Sequence, residues 1–433
     1  MRFKLKNFIK NIRGSEVVEK MMMVIASVTL VAVGIGFMNK FINSAIENQI
    51  GDNSHQIEMP NGNGNGTGEQ GGTVTPPIIS PDESTETPQY SNININKVSK
   101  KIVSTTEQEN YPEQISNYCP GSLFTINNEI YIMGGDIGYE LEFDDRVYKY
   151  NKQTNEFEEH WKVPTNYLRA DFEGIIYNNK LYALGNLNEL LLIISGQQTK
   201  GRNICFDIVN KQAQDLAELP DDILMFEKTI LVNDKIYCFG GITADAFLNQ
   251  TLNATFDNVY VYDIQNDNYT KVCTDFSFLR ESGNVFGEFY TAFNATLLND
   301  EIYFIEASKP NQNSKIATFN TKTFKHKQVL EFDNYKADSS YTSSYSNIIV
   351  KDEIIYNIID MWISEKVDES GSTSQKPIKK AIAFNTKTNE IKEININDNG
   401  LGKVTLLTTM NNKYYVIAFE TYSGPFLCEI ELK

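Results

Sequence analysis

NNEIYIMGG, residues 127–135, sets two asparagines before an alternating apolar strand that ends in paired glycines. The pattern returns as NNKLYALGN (178–186), NDKIYCFGG (233–241), NDEIYFIEA (299–307), KDEIIYNII (351–359) and NNKYYVIAF (411–419). The first positions step by 51, 55, 66, 52 and 60 residues. Asparagine and aspartate tolerate the left-handed backbone that a tight hairpin turn needs, so each copy predicts a turn followed by a strand. A second element follows the first five copies: VYKYNKQTNEF (147–157), ICFDIVNKQAQ (204–214), VYVYDIQNDNY (259–269), IATFNTKTFKH (316–326) and AIAFNTKTNEI (381–391). Two hairpins in a unit of roughly 50 residues, repeated six times, predict a closed array of four-stranded blades.

These repeats resemble kelch repeats. Gly134-Gly135 and Gly240-Gly241 match the glycine pair that ends the second strand in that family. Tyr262-Asp263 matches its third-strand ending, with Tyr150-Asn151, Phe206-Asp207, Phe319-Asn320 and Phe384-Asn385 as variants. The resemblance implies an all-β fold, a six-bladed kelch-type β-propeller over about 92–433. The last repeat supplies only three strands (near 404–410, 413–419 and 425–432). The unassigned segment NININKVSKKIVS (92–104) is therefore expected to close blade six as its outer strand, which removes an exposed edge.

Before the repeats, residues 51–91 form a glycine- and proline-rich stretch, with seven glycines between Gly51 and Gly72 and five prolines between Pro60 and Pro88. Such a composition buries too little apolar surface to offset its ordering entropy, so a flexible linker is expected. Ahead of it, Met21–Met38 carries no charge over 18 residues. A helix of that length spans roughly 27 Å, close to the hydrocarbon thickness of a bilayer. Residues 1–40 hold seven basic and two acidic side chains, whereas the remainder holds 32 basic and 54 acidic. That asymmetry orients the acidic domain outward.

The leader ends at Gly14 with Ser15 next and Glu19 five positions after the glycine, directly before the apolar run. This arrangement resembles the class III signal of type IV pilin-like proteins, especially Flp/Tad pilins. The resemblance implies a basic leader (1–14) removed by a prepilin peptidase between Gly14 and Ser15. It also implies a single hydrophobic helix (15–50) that packs with other pilin-like subunits, Glu19 pairing with a neighbour's freed Ser15 amine. A carboxylate in an apolar helix needs such a partner.

The acidic domain would repel phosphate backbones, which argues against nucleic-acid binding. No Cys-x-x-Cys or His-x-x-x-His pair occurs, so no metal cluster and no cofactor are expected. Cys119, Cys205, Cys238, Cys273 and Cys428 read as free, mostly buried thiols. Of three histidines, His55 lies in the linker, while His160 and His326 fall in or beside predicted outer strands. None is left near the ring axis, where a copper oxidase of galactose-oxidase type would need one. The Ser-x-Asp-x-Gly-x-x-Trp box of sialidases is absent, and the propeller has only Arg146, Arg169, Arg202 and Arg280. The acidic run 140–145 reads as a solvated loop.

An enzyme is therefore not expected. The leading expectation is a membrane-anchored, extracellular protein that displays a binding propeller, a minor filament subunit for adhesion or for recognition of a protein or glycan. A tethered carbohydrate-active propeller such as a sugar mutarotase, and a plain surface scaffold, are the alternatives. Long connections at 136–146, 187–203, 242–258 and 360–380 fall on one face of the expected ring. They nominate that face for binding, with Tyr139, Phe143, Phe247, Phe256 and Trp362 as anchors.

Overall fold

A computed structural model describes residues 90–105, 118–135, 144–164, 167, 174–185, 201–243, 254–278, 293–306, 313–332, 341–366, 373–420 and 424–433. Gly14, Ser15, Glu19, the apolar run 21–38 and the linker lie outside these residues. Among the described residues no helix is long and apolar enough to cross a membrane.

The strands form six antiparallel blades, the first five ordered as in the sequence. Blade one spans Ser122–Ile126, Glu129–Met133, Arg146–Asn151 and Glu156–Lys162. Blade two spans Gly174–Tyr177, Lys180–Leu184, Asn203–Asp207 and Gln212–Asp215; blade three spans Ile223–Val232, Lys235–Thr243, Val259–Asp263 and Asn268–Cys273. Blade four spans Phe293–Leu298, Glu301–Glu306, Ser314–Asn320 and His326–Phe332; blade five spans Tyr341–Lys351, Ile354–Lys366, Thr373–Asn385 and Glu390–Ile394. Blade six holds Val404–Met410, Lys413–Glu420 and Gly424–Leu432. Its fourth strand is Ile93–Lys97, antiparallel to Gly424–Leu432 with Ile95 opposite Ile430. Of the segment 92–104 expected to close blade six, only Ile93–Lys97 is strand, and residues 98–104 continue past it without strand pairing. The short strand Ile396–Asn397 then pairs in parallel with the closing strand, Ile93 opposite Ile396.

First strands of successive blades contact one another in order, and the sixth contacts the first, so they form the inner ring. Side chains reinforce it: Thr125 Oγ1 lies 3.0 Å from Thr408 Oγ1. Asn294 Nδ2 donates to the Ser346 carbonyl at 2.6 Å, and Asn347 Nδ2 to the Val404 carbonyl at 3.1 Å.

The turns explain the asparagines. Asn127 and Asn128 have φ of 51° and 59°, and Asn178–Asn179 and Asn411–Asn412 repeat that geometry. Two successive left-handed residues match the twist of the flanking strands, and asparagine accepts them at low cost. Between third and fourth strands, a side-chain oxygen caps the turn. Asn151, Asp207, Asp263, Asn320 and Asn385 each accept from a backbone amide two or three residues on. This Asx geometry is why the third strand ends in Asp or Asn. Gly135, at φ +111°, has its own reason: a Cβ there would lie 2.2 Å from the Cys119 carbonyl oxygen.

Burial is organised between blades rather than within them. Six apolar clusters each unite two neighbouring blades. The richest in rings joins blades three and four, where Phe239 meets Phe304 edge-on at 4.8 Å and Phe319 at 5.3 Å. Ile93 and Ile95 of the closing strand are fully buried between blades five and six.

The acidic run is not uniformly solvated. Asp144 is fully buried. It accepts from Ser104 Oγ at 2.5 Å, from Tyr148 Oη at 2.6 Å and from the Arg146 amide at 3.1 Å. Burial pushes its carboxyl above the usual range. Ser104 belongs to the segment that follows the closing strand, so this buried carboxylate ties that segment to blade one.

Candidate functional site

Because strands alternate in direction, the connections one-to-two and three-to-four share one face of the ring. They are the short capped turns described above. The other face takes the connections 134–145, 185–202 and 244–258, and here blade five departs from the sequence-based expectation. Of the stretch 360–380, the described residues 360–366 and 373–380 are strand rather than loop. The second strand of blade five runs thirteen residues, Ile354–Lys366, against six in blade four. It pairs without interruption to the third, from Ile354 opposite Asn385 to Lys366 opposite Thr373. Seven additional residues at about 3.3 Å each carry this hairpin roughly 23 Å further. The first strand accompanies it, with Tyr341 opposite Ile363.

The nominated aromatics fare differently. Tyr139, Phe143 and Phe247 lie outside the described residues. Trp362 sits in the hairpin, at the register position opposite Pro377. Phe256 is not a surface anchor: it is 1% exposed, in the 3-10 turn Ala254–Asp257, and belongs to the core between blades three and four. The turn folds onto the second strand of its own blade, so the ring contributes to packing and is closed to a ligand.

A charged cluster underlies the hairpin. Asp360 is 6% exposed and stands opposite Lys379 in register. Its Oδ2 accepts from the Val404 amide at 2.8 Å, and its Oδ1 lies 3.7 Å from Lys379 Nζ. Lys379 Nζ also reaches Asp398 Oδ2 at 2.6 Å and the Leu401 carbonyl at 2.8 Å. Burial raises the Asp360 carboxyl to about 7, with Lys379 opposing that rise. The group is engaged on both oxygens, so it anchors the hairpin base to blade six.

The ring rim repeats another relationship: the outer strand of one blade, or the segment leaving it, meets the three-to-four turn of the next blade. The Lys100 amide donates to the Asn155 carbonyl at 2.7 Å; His160 Nε2 lies 3.2 Å from the Ile208 carbonyl. The Ala217 amide donates to Asp267 Oδ1 at 2.8 Å. Between blades three and four the same junction carries different chemistry. Cys273 Sγ donates to Asp275 Oδ1 at 3.1 Å, and His326 Nε2 lies 3.4 Å from that same oxygen. Sulfur, oxygen and nitrogen all fall within 4.8 Å of one another. Burial pushes the Cys273 thiol up, so it is not poised as a nucleophile. The thiol and His326 hold the Asp275 carboxyl below its usual range. Local spacing gave no hint of this cluster, because His326 lies one repeat beyond Asp275. The repeat period was the only signal for it.

Residues 118–159 match the family model described as Kelch motif. They cover the first three strands of blade one and its outer strand as far as Glu159. Among solved structures, that of YjhT is similar at 11% identity and a TM-score of 0.48, covering 78% of this chain and 99% of that one. A member of the DUF4221 family from Bacteroides vulgatus is similar at 9% identity and a TM-score of 0.46, covering 80% and 99%. The extracellular domain of BT4673 from B. thetaiotaomicron is similar at 11% identity and a TM-score of 0.38, covering 78% of this chain and 40% of that one. These are likenesses of fold. No curated protein matches the sequence. The chain carries a kelch motif on a six-bladed β-propeller.

Proposed function

We propose that the chain is a pilin-like, membrane-anchored surface protein whose kelch-type propeller binds an extracellular protein or glycan, as a minor filament subunit with an adhesive role. The observation that carries the binding reading is the blade-five hairpin. One face of a rigid ring bears capped two- to five-residue turns, while the other bears the long connections and a paired hairpin extending well past its neighbours. Recognition elements concentrate on extended segments held by a rigid scaffold. The anchoring reading rests on the basic leader, Gly14-Ser15, Glu19 and the uncharged run 21–38. A large head crowds helical polymerisation, which favours a minor rather than a major subunit.

The test shortens the hairpin. Asp360 and Lys379 face each other in register, so an Asn-Gly pair can replace 361–378 as a two-residue turn. The full chain and this variant are compared on a broad glycan array and on immobilised extracellular-matrix proteins. Binding by the full chain and its loss in the variant, at unchanged melting temperature, supports the reading. Binding that survives in the variant but disappears when the turns at 127–128 and 151–155 are exchanged would assign recognition to the opposite face.

A further inference from the structure

We propose that Cys273, Asp275 and His326 form a divalent transition-metal site, with zinc as its resident ion, that staples the rim of blade three to that of blade four. Cys273 ends the outer strand of blade three, Asp275 lies two residues on, and His326 begins the outer strand of blade four. Metal–ligand lengths of about 2.0–2.3 Å at tetrahedral angles separate donor atoms by about 3.3–3.8 Å. The observed separations of 3.1 and 3.4 Å, with all three atoms within 4.8 Å, need shifts of well under 1 Å for most of the set.

The cluster also has the right internal logic. The thiol and the imidazole Nε2 converge on one carboxylate oxygen. A cation that displaces their protons finds a thiolate, a neutral imidazole nitrogen and a carboxylate already facing one point. That donor set is borderline-soft, which suits zinc over calcium or magnesium. Three protein ligands leave a fourth position for water.

The surroundings support retention of an ion. Cys273 is 9% exposed and the His326 side chain 29%, while Asp275 at 82% leaves an entry path. Phe276 packs edge-on against the His326 ring at 5.4 Å and joins the blade three–four core. The ring orientation is therefore set before an ion arrives. At the three junctions from blade six through blade three, hydrogen bonds of Lys100, His160 and Ala217 to the next blade's turn take this place.

The experiment titrates the full chain, stripped with a chelator and kept reduced with a phosphine, with Co²⁺ and then Zn²⁺. The expected result is one cobalt per chain, a thiolate-to-cobalt charge-transfer band, and displacement by stoichiometric zinc. Cys273→Ser removes the band, whereas Cys119→Ser retains it. His326→Gln weakens cobalt binding by at least about 100-fold, since even residues that only support a ligand are worth 10–100-fold. Zinc should raise the melting temperature of the unsubstituted chain and not that of Cys273→Ser. His326 begins a strand at the surface, so its variant keeps the test valid should Cys273→Ser not fold. Absence of a charge-transfer band, a band that survives Cys273→Ser, or unchanged affinity in His326→Gln would overturn the proposal.

Discussion

Asn92 and Lys433 exchange both backbone hydrogen bonds, the Asn92 amide reaching the Lys433 carbonyl at 2.6 Å and the Lys433 amide the Asn92 carbonyl at 2.9 Å. The first described strand and the last are thereby zipped together, and the ring depends on both ends of the repeat region. Ile93, Ile95 and Ile102 of this segment are at most 2% exposed. Burying three such side chains contributes about 5–9 kcal/mol, comparable to the whole stability of an ordinary domain. Deleting 92–104 should therefore unfold or aggregate the protein. Ile95→Ala should cost about 2–5 kcal/mol in urea unfolding, and deleting 51–85 should leave the midpoint unchanged. Equal stability of the two deletions would show that the closing strand contributes little.

Phe324 offers a prediction of the opposite sign. It holds φ at +57° in the three-to-four turn of blade four and is 38% exposed. The equivalent left-handed positions are Asn155, Lys211, Asp267 and Asn389. An L-residue in that region is strained by roughly 1–2 kcal/mol, less for asparagine and absent for glycine. Phe324→Asn should raise stability by about 0.5–1 kcal/mol, measured by thermal unfolding. A destabilised variant would mean that the phenyl ring packs more favourably than its exposure implies.

Asp360 links stability to pH. In the folded chain its carboxyl titrates at about 7 because it is buried, whereas unfolded it returns to about 3.9. Between those values the folded state holds the extra proton, so this group makes stability fall as pH rises from about 4 to about 7. Three units correspond to at most about 4 kcal/mol. Asp360→Asn removes the titration and preserves an acceptor for the Val404 amide. Urea midpoints at pH 5 and pH 8 should differ less in the variant than in the unsubstituted chain. Identical pH dependence in the two would remove Asp360 from the account.

The turn-and-strand repeat made the six blades and the closing strand legible, because each copy carries its own Asn or Asp turn and its own tyrosine-bearing strand. What escaped was set by neighbours in space. The 360–380 segment reads as a loop because it contains Gly371 and Pro377 among polar residues. Yet Pro377 lies beyond Ala381–Asn385, the part of the third strand that pairs with the fourth. There the third strand is an edge, where a missing amide costs nothing. Asp144 looked solvated within an acidic run, but Ser104 and Tyr148 supply buried donors from outside that run. Phe256 looked like a loop aromatic because nothing local reveals the Phe239–Phe304 core beneath its turn. Cys273 and His326 meet only because adjacent blades meet.

The N-terminal segment makes its own prediction. A carboxylate beside an apolar helix is costly unless an amine neutralises it, so Glu19→Ala should leave cleavage intact while the chain is lost from sheared filaments. Quantitative immunoblotting of the membrane and filament fractions measures this. Equal partition of variant and parent would separate Glu19 from assembly.

The most direct test of the account is the mass of the exported protein's N-terminal peptide. Cleavage between Gly14 and Ser15 predicts a mature chain that begins at Ser15, with the run 21–38 and the entire propeller retained. A chain that begins at Met1, or beyond Phe41, would contradict the pilin-like reading.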